Sequence, residues 1–217
     1  MISIQTYFLF GFVWCCWCGL HSYLISSRVT GWLEKCLGSN YRYYRLAYNL
    51  FSTISLSAPL LFGLYLRRHE TVLLIWDGWP QAFRYVSLFL SFLLFYSAAR
   101  HYKLTHFLGV TQIRTGYTSY LLGDTGDFAT TGASGIVRHP WYLGGIILVW
   151  SVFEKMYPST LISAIIITCY FVIGSVLEER KLLAHYGKIY RVYQERVSML
   201  FPLKWLIARI QKNKIEQ

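Results

Sequence analysis

Arg138-His139-Pro140-Trp141-Tyr142-Leu143-Gly144 opens the stretch that decides the fold, and Phe201-Pro202 closes it. Between them lie two apolar segments, about Trp141 to Phe153 and Leu161 to Leu177, joined by the turn Glu154-Lys155-Met156-Tyr157-Pro158. Charge then returns as Glu178-Glu179-Arg180-Lys181, followed by Tyr186-Gly187-Lys188-Ile189-Tyr190-Arg191-Val192-Tyr193. The order predicts a helical hairpin in a bilayer that returns Glu178 and Glu179 to the side where His139 lies. A polar, aromatic cluster flanking membrane-length segments predicts a charged ligand held where lipid meets water.

Working outward, three more apolar windows precede this stretch, about Ile4 to Ile25, Leu46 to Leu66 and Phe83 to Ala99. The chain of 217 residues is 55% hydrophobic with a mean hydropathy of +0.37, too apolar for an ordinary soluble domain. Each window is sized to cross, or nearly cross, a hydrocarbon core about 30 Å thick. The expected fold is therefore all-α and membrane-embedded, with about five transmembrane helices and a cytosolic carboxy-terminal helical region that binds a cofactor. Alternating strands of the outer-membrane kind are not visible. No Lys or Arg precedes the first window and no small-x-small cleavage pattern follows it, so it reads as a retained helix.

The intervening segments are polar. Arg28 to Arg45 reads as a connector carrying the interfacial aromatics Trp32, Tyr41, Tyr43 and Tyr44, and Trp76-Asp77-Gly78-Trp79-Pro80 as an interfacial turn. Arg100 to Val137 is long and glycine-rich, with His106-Phe107-Leu108-Gly109-Val110-Thr111-Gln112 and then Gly123-Asp124-Thr125-Gly126-Asp127. Connectors of that length usually serve a purpose. Lys204 to Gln217 reads as a basic amphipathic tail on a lipid surface.

A net charge of +11 invites a nucleic-acid reading, but the basic residues fall between and after the apolar windows. With five spans and the amino terminus outside, sixteen Lys and Arg residues face inward and four outward, with Arg100 at a boundary. That bias puts the polar cluster on the cytosolic side and makes membrane lipids, not nucleic acid, the expected charged partner. Five cysteines make no framework; Cys15, Cys16 and Cys18 sit inside an apolar helix without the spacing of a metal site, so no metal is expected.

Pro140 disfavours helix at His139, placing its imidazole in extended backbone ahead of a helix amino terminus, where anions are well received. Arg138 suits a carboxylate bidentately, and Glu178 and Glu179 suit hydroxyls or a cation, unless they merely pair with Arg138 and Lys181. If the helix continues past Leu177, then Glu179, Leu183, Tyr186, Tyr190 and Tyr193 form one stripe. A ligand with a carboxylate, ribose hydroxyls, a purine and a sulfonium satisfies this set, and S-adenosylmethionine is such a ligand.

Arg138-His139-Pro140-x-Tyr142-x-Gly144, then Glu178-Glu179-x-x-Leu182 and Tyr186-Gly187-x-x-Tyr190-x-x-Tyr193, resembles the carboxy-terminal signature of the integral-membrane methyltransferases, which include isoprenylcysteine carboxyl methyltransferase and phospholipid methyltransferase. The resemblance implies S-adenosylmethionine as methyl donor, with His139, Pro140, Tyr142, Gly144, Glu178, Glu179 and Tyr190 in its pocket and Glu178 and Arg138 as candidate catalytic residues. It also divides the chain into amino-terminal transmembrane helices at 1–104 and a methyltransferase core at 105–217. Phe107-Leu108-Gly109-Val110-Thr111-Gln112 and His21-Ser22 are similar to the bacterial branch containing methanethiol S-methyltransferase and NnrU-like proteins, which implies Gln112 near the cofactor and His21 as a contact for the acceptor. The terminal Phe201-Pro202 lacks the Thr-Gly often preceding it in the prenylcysteine enzymes, which weakens a prenylated-protein acceptor. The implied acceptor is lipophilic or a small thiol. A thiol acceptor would need a base, for which His21, His106 and a Glu all remain open. The membrane is expected to be the inner, cytoplasmic membrane of a bacterial-type cell. Two alternatives stand beside this: an NADPH-dependent membrane reductase of the sterol reductase type, and a haem-binding or transport protein using His21 and His101.

Overall fold

The computed structural model describes residues 2–100, 104–116 and 130–215. His101 and the run Gly123-Asp124-Thr125-Gly126-Asp127 therefore lie outside the described residues. The elements are α1 (Ile4–Leu24), α2 (Ser27–Leu37), α3 (Tyr44–Arg67), β1 (Leu74–Ile75), α4 (Trp79–Ala99), α5 (Leu104–Phe107), α6 (Val110–Thr115), α7 (Pro140–Ser151), β2 (Lys155–Met156), α8 (Pro158–Tyr186), α9 (Lys188–Arg196) and α10 (Leu203–Ile215). The protein is an all-α membrane protein. Four apolar helical stretches, Ile4–Leu24, Ser27–Arg67, Trp79–Ala99 and Pro158–Tyr186, are long enough to cross a bilayer. The fourth apolar window is also helical, but its 12 residues rise about 18 Å, short of the hydrocarbon core.

Two differences from the sequence reading have clear causes. Arg28 to Arg45 is not an open connector: Ser26 caps α2 by accepting from the Val29 amide, and a 3-10 turn at Gly38–Tyr43 leads directly into α3. Its charges hid an amphipathic helix that buries Val29 and Thr30. Helix α4 begins four residues earlier than its apolar window, because Gly78 (φ 63) turns the chain and Pro80 fits the first helical turn, where no amide partner is lost.

The chain forms two compact units. The first holds α1, α2, α3, β1, α5, α6, β2 and the start of α8, up to Ile166. Here Phe10, Trp14 and Cys18 recur every four residues and are buried, and the Phe10 ring lies 3.3 Å from where a Cβ on Gly63 of α3 would be. Glu70 closes this unit by accepting from the Ser159 amide (3.1 Å) and hydroxyl (2.7 Å), an acidic cap on the first turn of α8. The two-residue strands β1 and β2 pair antiparallel.

The second unit holds α4, α7, α8 from Ile167, α9 and α10. Gly144 and Gly145 let α7 be approached from two sides. A Cβ on Gly144 would lie 3.3 Å from both the Leu94 Cβ and the Ser91 carbonyl of α4, and the Ser91 hydroxyl donates to the Gly144 carbonyl at 2.8 Å. A Cβ on Gly145 would lie 2.6 Å from the Phe171 ring of α8. Small residues at helix crossings allow this close approach in membranes.

Candidate cofactor site

Helix α8 does not run through Tyr193 as the stripe of spacings predicts. It stops at Tyr186, and Gly187 (φ 55) turns the chain into α9, a left-handed step that glycine takes without steric cost. The turn folds Tyr190 and Tyr193 back against Leu182, Leu183 and Tyr186. The same residues thus share one cluster by a different route. The Tyr193 hydroxyl donates to the Ser134 carbonyl at 2.6 Å and the Tyr190 hydroxyl to Glu179 Oε1 at 3.4 Å. Burial, reinforced by Glu179, pushes the Tyr190 hydroxyl well above its usual range, so it stays protonated and donates.

Beyond α9 the chain becomes extended at Val197 and runs parallel to Val137-Arg138-His139. The Arg138 amide donates to the Ser198 carbonyl (2.8 Å) and the His139 amide to the Met199 carbonyl (3.1 Å). These bonds fix the backbone of His139, which caps α7 at φ −122, ψ 65, with Pro140 next. The backbone ahead of the proline is non-helical, but at ψ 65 it falls short of the extended conformation expected there.

The side chains converge on Glu179. Arg138 grips it bidentately, Nε to Oε1 at 2.5 Å and Nη2 to Oε2 at 2.8 Å. His139 Nε2 lies 3.2 Å from Oε1, and Gln194 Nε2 donates to Oε2 at 2.8 Å. Arg138 Nη1 also donates to the carbonyls of Gln194 (3.1 Å) and Val197, at the carboxy terminus of α9 where a cation complements the helix dipole. Lys204 Nζ donates to the Gln194 carbonyl at 2.7 Å and the Glu195 carbonyl at 2.9 Å, supporting the same helix end.

Glu178 stands apart from this network. Its nearest ionic partner among the described residues is His139 Nδ1 at 3.9 Å, beyond hydrogen-bond range, and 28% of its side chain is exposed against 11% for Glu179. The two adjacent acids therefore do different things: one is saturated by protein donors, the other is open. Tyr142 lies beside them, its ring 5.5 Å from that of His139 and 5.6 Å from that of Phe171. Pro140 is buried in the first turn of α7. Gly144, in contrast, is directed at α4, and its contacts are those of a packing residue.

The remaining expected site residues belong to the first unit. Gln112 is buried; its Nε2 donates to the His106 carbonyl at 3.0 Å, and its Oε1 has no partner among the described residues. Its segment is fastened to α3 because the Phe107 carbonyl accepts from Arg45 Nε (3.2 Å) and Asn49 Nδ2 (3.0 Å). Gly109 sits at φ 91, where a Cβ would lie 2.8 Å from the Leu46 amide nitrogen. Gly109→Ala should therefore destabilise the fold by about 1–3 kcal/mol, read as a lower unfolding midpoint in detergent. His21 lies between α1 and α3, Nδ1 3.1 Å from the Ser52 hydroxyl and Nε2 2.9 Å from that of Tyr48, with its ring stacked on Trp17 at 5.1 Å.

Sequence reasoning missed Gln194, Ser134 and Lys204. Gln194 had a signal: it follows Tyr190 by four residues on one helix face. Ser134 and Lys204 enter through backbone carbonyls, which leave no trace in side-chain patterns. Tyr193→Phe leaves the buried Ser134 carbonyl without this donor, and a loss of about 1–2 kcal/mol is expected in thermal unfolding.

With this geometry in hand, similarity to known proteins is specific. The chain is 32% identical over 191 residues to methanethiol S-methyltransferase 1 of Bradyrhizobium diazoefficiens, an alignment covering 84% of this chain and 62% of that protein. It is 31% identical over 131 residues to a methanethiol S-methyltransferase of Pseudomonas sp. (60% of this chain, 45% of that protein). It is 42% identical over 77 residues to that of Pseudomonas deceptionensis (36% and 29%). The chain is thus similar to proteins named as methanethiol S-methyltransferases. It spans less than two thirds of the length of these curated relatives. No family model matches the chain, and no solved structure matches it.

Proposed function

We propose that the protein is an integral-membrane methyltransferase that uses S-adenosylmethionine to methylate a small thiol or another lipophilic acceptor. The observation that carries the reading is the division of labour between the two acids: Glu179 braces the His139 corner from within, leaving Glu178 open beside it. A donor set of that kind fits the proposed ligand. Glu178 would accept from ribose hydroxyls, while the aromatic edge of Tyr142 and the ring of His139 would flank the base or the sulfonium. The bidentate face of Arg138 is engaged by Glu179, the pairing that stood beside a ligand carboxylate as its alternative. The first turn of α7, which no side chain caps among the described residues, is the better receiver for the ligand's carboxylate.

Bound there, S-adenosylmethionine would supply an electrophilic methyl group. The chain's own contribution is alignment and exclusion of water, both favoured by a site at the edge of the bilayer. A thiol acceptor loses its proton in the reaction, whereas a carboxylate does not. The names of the relatives favour the thiol. The excess of Lys and Arg in the segments around this site supports a cytosolic orientation, in an inner membrane.

Transfer of labelled methyl from S-adenosylmethionine to methanethiol, longer alkane thiols, prenylcysteine and phosphatidylethanolamine, catalysed by the purified full chain, tests this. Labelled thioether is expected. Absence of transfer to every acceptor, with binding of NADPH in its place, would overturn it.

A further inference from the structure

The last helix carries an apolar stripe that nothing among the described residues covers. Leu203, Leu206, Ile207 and Ile210 recur at i, i+3, i+4 and i+7, and they are 62%, 43%, 54% and 57% exposed. Every side chain described from Leu203 to Gln211 is exposed. An isolated helix of 13 residues is marginal in water and draws its stability from whatever buries its apolar face.

The other residues say what that is. Lys204 and Arg209 flank the stripe, the Arg209 guanidinium lies 5.2 Å from the Trp205 ring centre, and Lys212 and Lys214 follow in the sequence. Among the described residues no salt bridge involves Lys204 or Arg209. An apolar stripe flanked by Lys204 and Arg209, on a chain that already spans the bilayer, is complementary to anionic phospholipid headgroups above acyl chains. The helix is held in place at its start. The Lys204 amide donates to the Ser198 hydroxyl at 3.0 Å, and Lys204 Nζ is bound to the carboxy terminus of α9. A groove of about 500 Å³ lies beside this start, its apolar wall formed by Val172, Met199, Leu200, Phe201 and Leu203 and its polar wall by Arg138, Gln194, Ser198 and Lys204.

We propose that α10 is a docking helix for the anionic face of the membrane, seated flat on the headgroups with its apolar stripe in the acyl boundary. Each cation held at such a surface contributes about fivefold to partitioning. The inference stands independently of methyl transfer.

Hydrogen–deuterium exchange of the full chain tests it, in nanodiscs of phosphatidylcholine alone and of phosphatidylcholine with 30% phosphatidylglycerol. The amides of 204–215 should exchange at least tenfold more slowly in the anionic discs. High salt should erase the difference, because exposed charges are screened. The triple variant Arg209→Gln/Lys212→Gln/Lys214→Gln, which spares Lys204, should also erase it while leaving exchange in α7 and α8 unchanged. Equal exchange in the two lipids would overturn the proposal. So would equal protection in detergent without lipid, which would mean that protein covers the stripe.

Discussion

Replacing Glu179 with Gln should unfold the corner on which the site is built. Glu179 accepts from Arg138, His139, Gln194 and Tyr190, and both it and Arg138 are almost fully buried. Neutralising one partner leaves the Arg138 guanidinium buried without its counter-charge, which typically costs about 3–5 kcal/mol. The thermal midpoint should fall by many degrees, and donor binding should be lost with it. A second substitution separates brace from ligand contact. The double variant Arg138→Met/Glu179→Leu removes both charges together and should recover much of the stability lost by Glu179→Gln alone. It should still bind donor weakly, because His139 has lost the carboxylate that orients it.

The opposite pattern is expected of Glu178. Its nearest ionic contact among the described residues is at 3.9 Å and its side chain is partly exposed, so Glu178→Gln should leave the unfolding free energy within about 0.5 kcal/mol of wild type, with little change in the thermal midpoint. A hydrogen bond from a ligand hydroxyl to an ionised acceptor contributes about 1.5–3 kcal/mol. Donor affinity should therefore fall about 10- to 100-fold, measured by calorimetric titration. Two neighbouring acids of one type would thus fail in different ways, Glu179 through the fold and Glu178 through the ligand.

Much of this arrangement is legible in the sequence. Pro140 after His139 fixes a non-helical corner, the apolar lengths on either side of Tyr157-Pro158 force a hairpin, and the pairing of His139 with the Glu178-Glu179 step follows. What the sequence does not separate is the two acids, because their inequality arises from Gln194 and the Val197 carbonyl. Both reach the site only because Gly187 breaks the helix, a turn that a period of three and four residues conceals. The parallel run of Ser198 and Met199 beside Arg138 and His139 is a backbone pairing and depends on no side-chain type. Gly144 illustrates the reverse case. A Cβ on Gly144 would meet Ser91, Leu94 and Phe95, a helix-packing contact that the signature itself does not announce. In Arg28 to Arg45, charge density masked a helix whose buried face is only two residues wide.

The most direct measurement of the central claim is ultraviolet crosslinking of labelled S-adenosylmethionine to the full chain in lipid nanodiscs, followed by peptide mapping of the adduct. Label on the peptides that carry His139–Tyr142 or Glu178 is the predicted result. Label confined to peptides of α1, α3 or α10, with none at that corner, would contradict it.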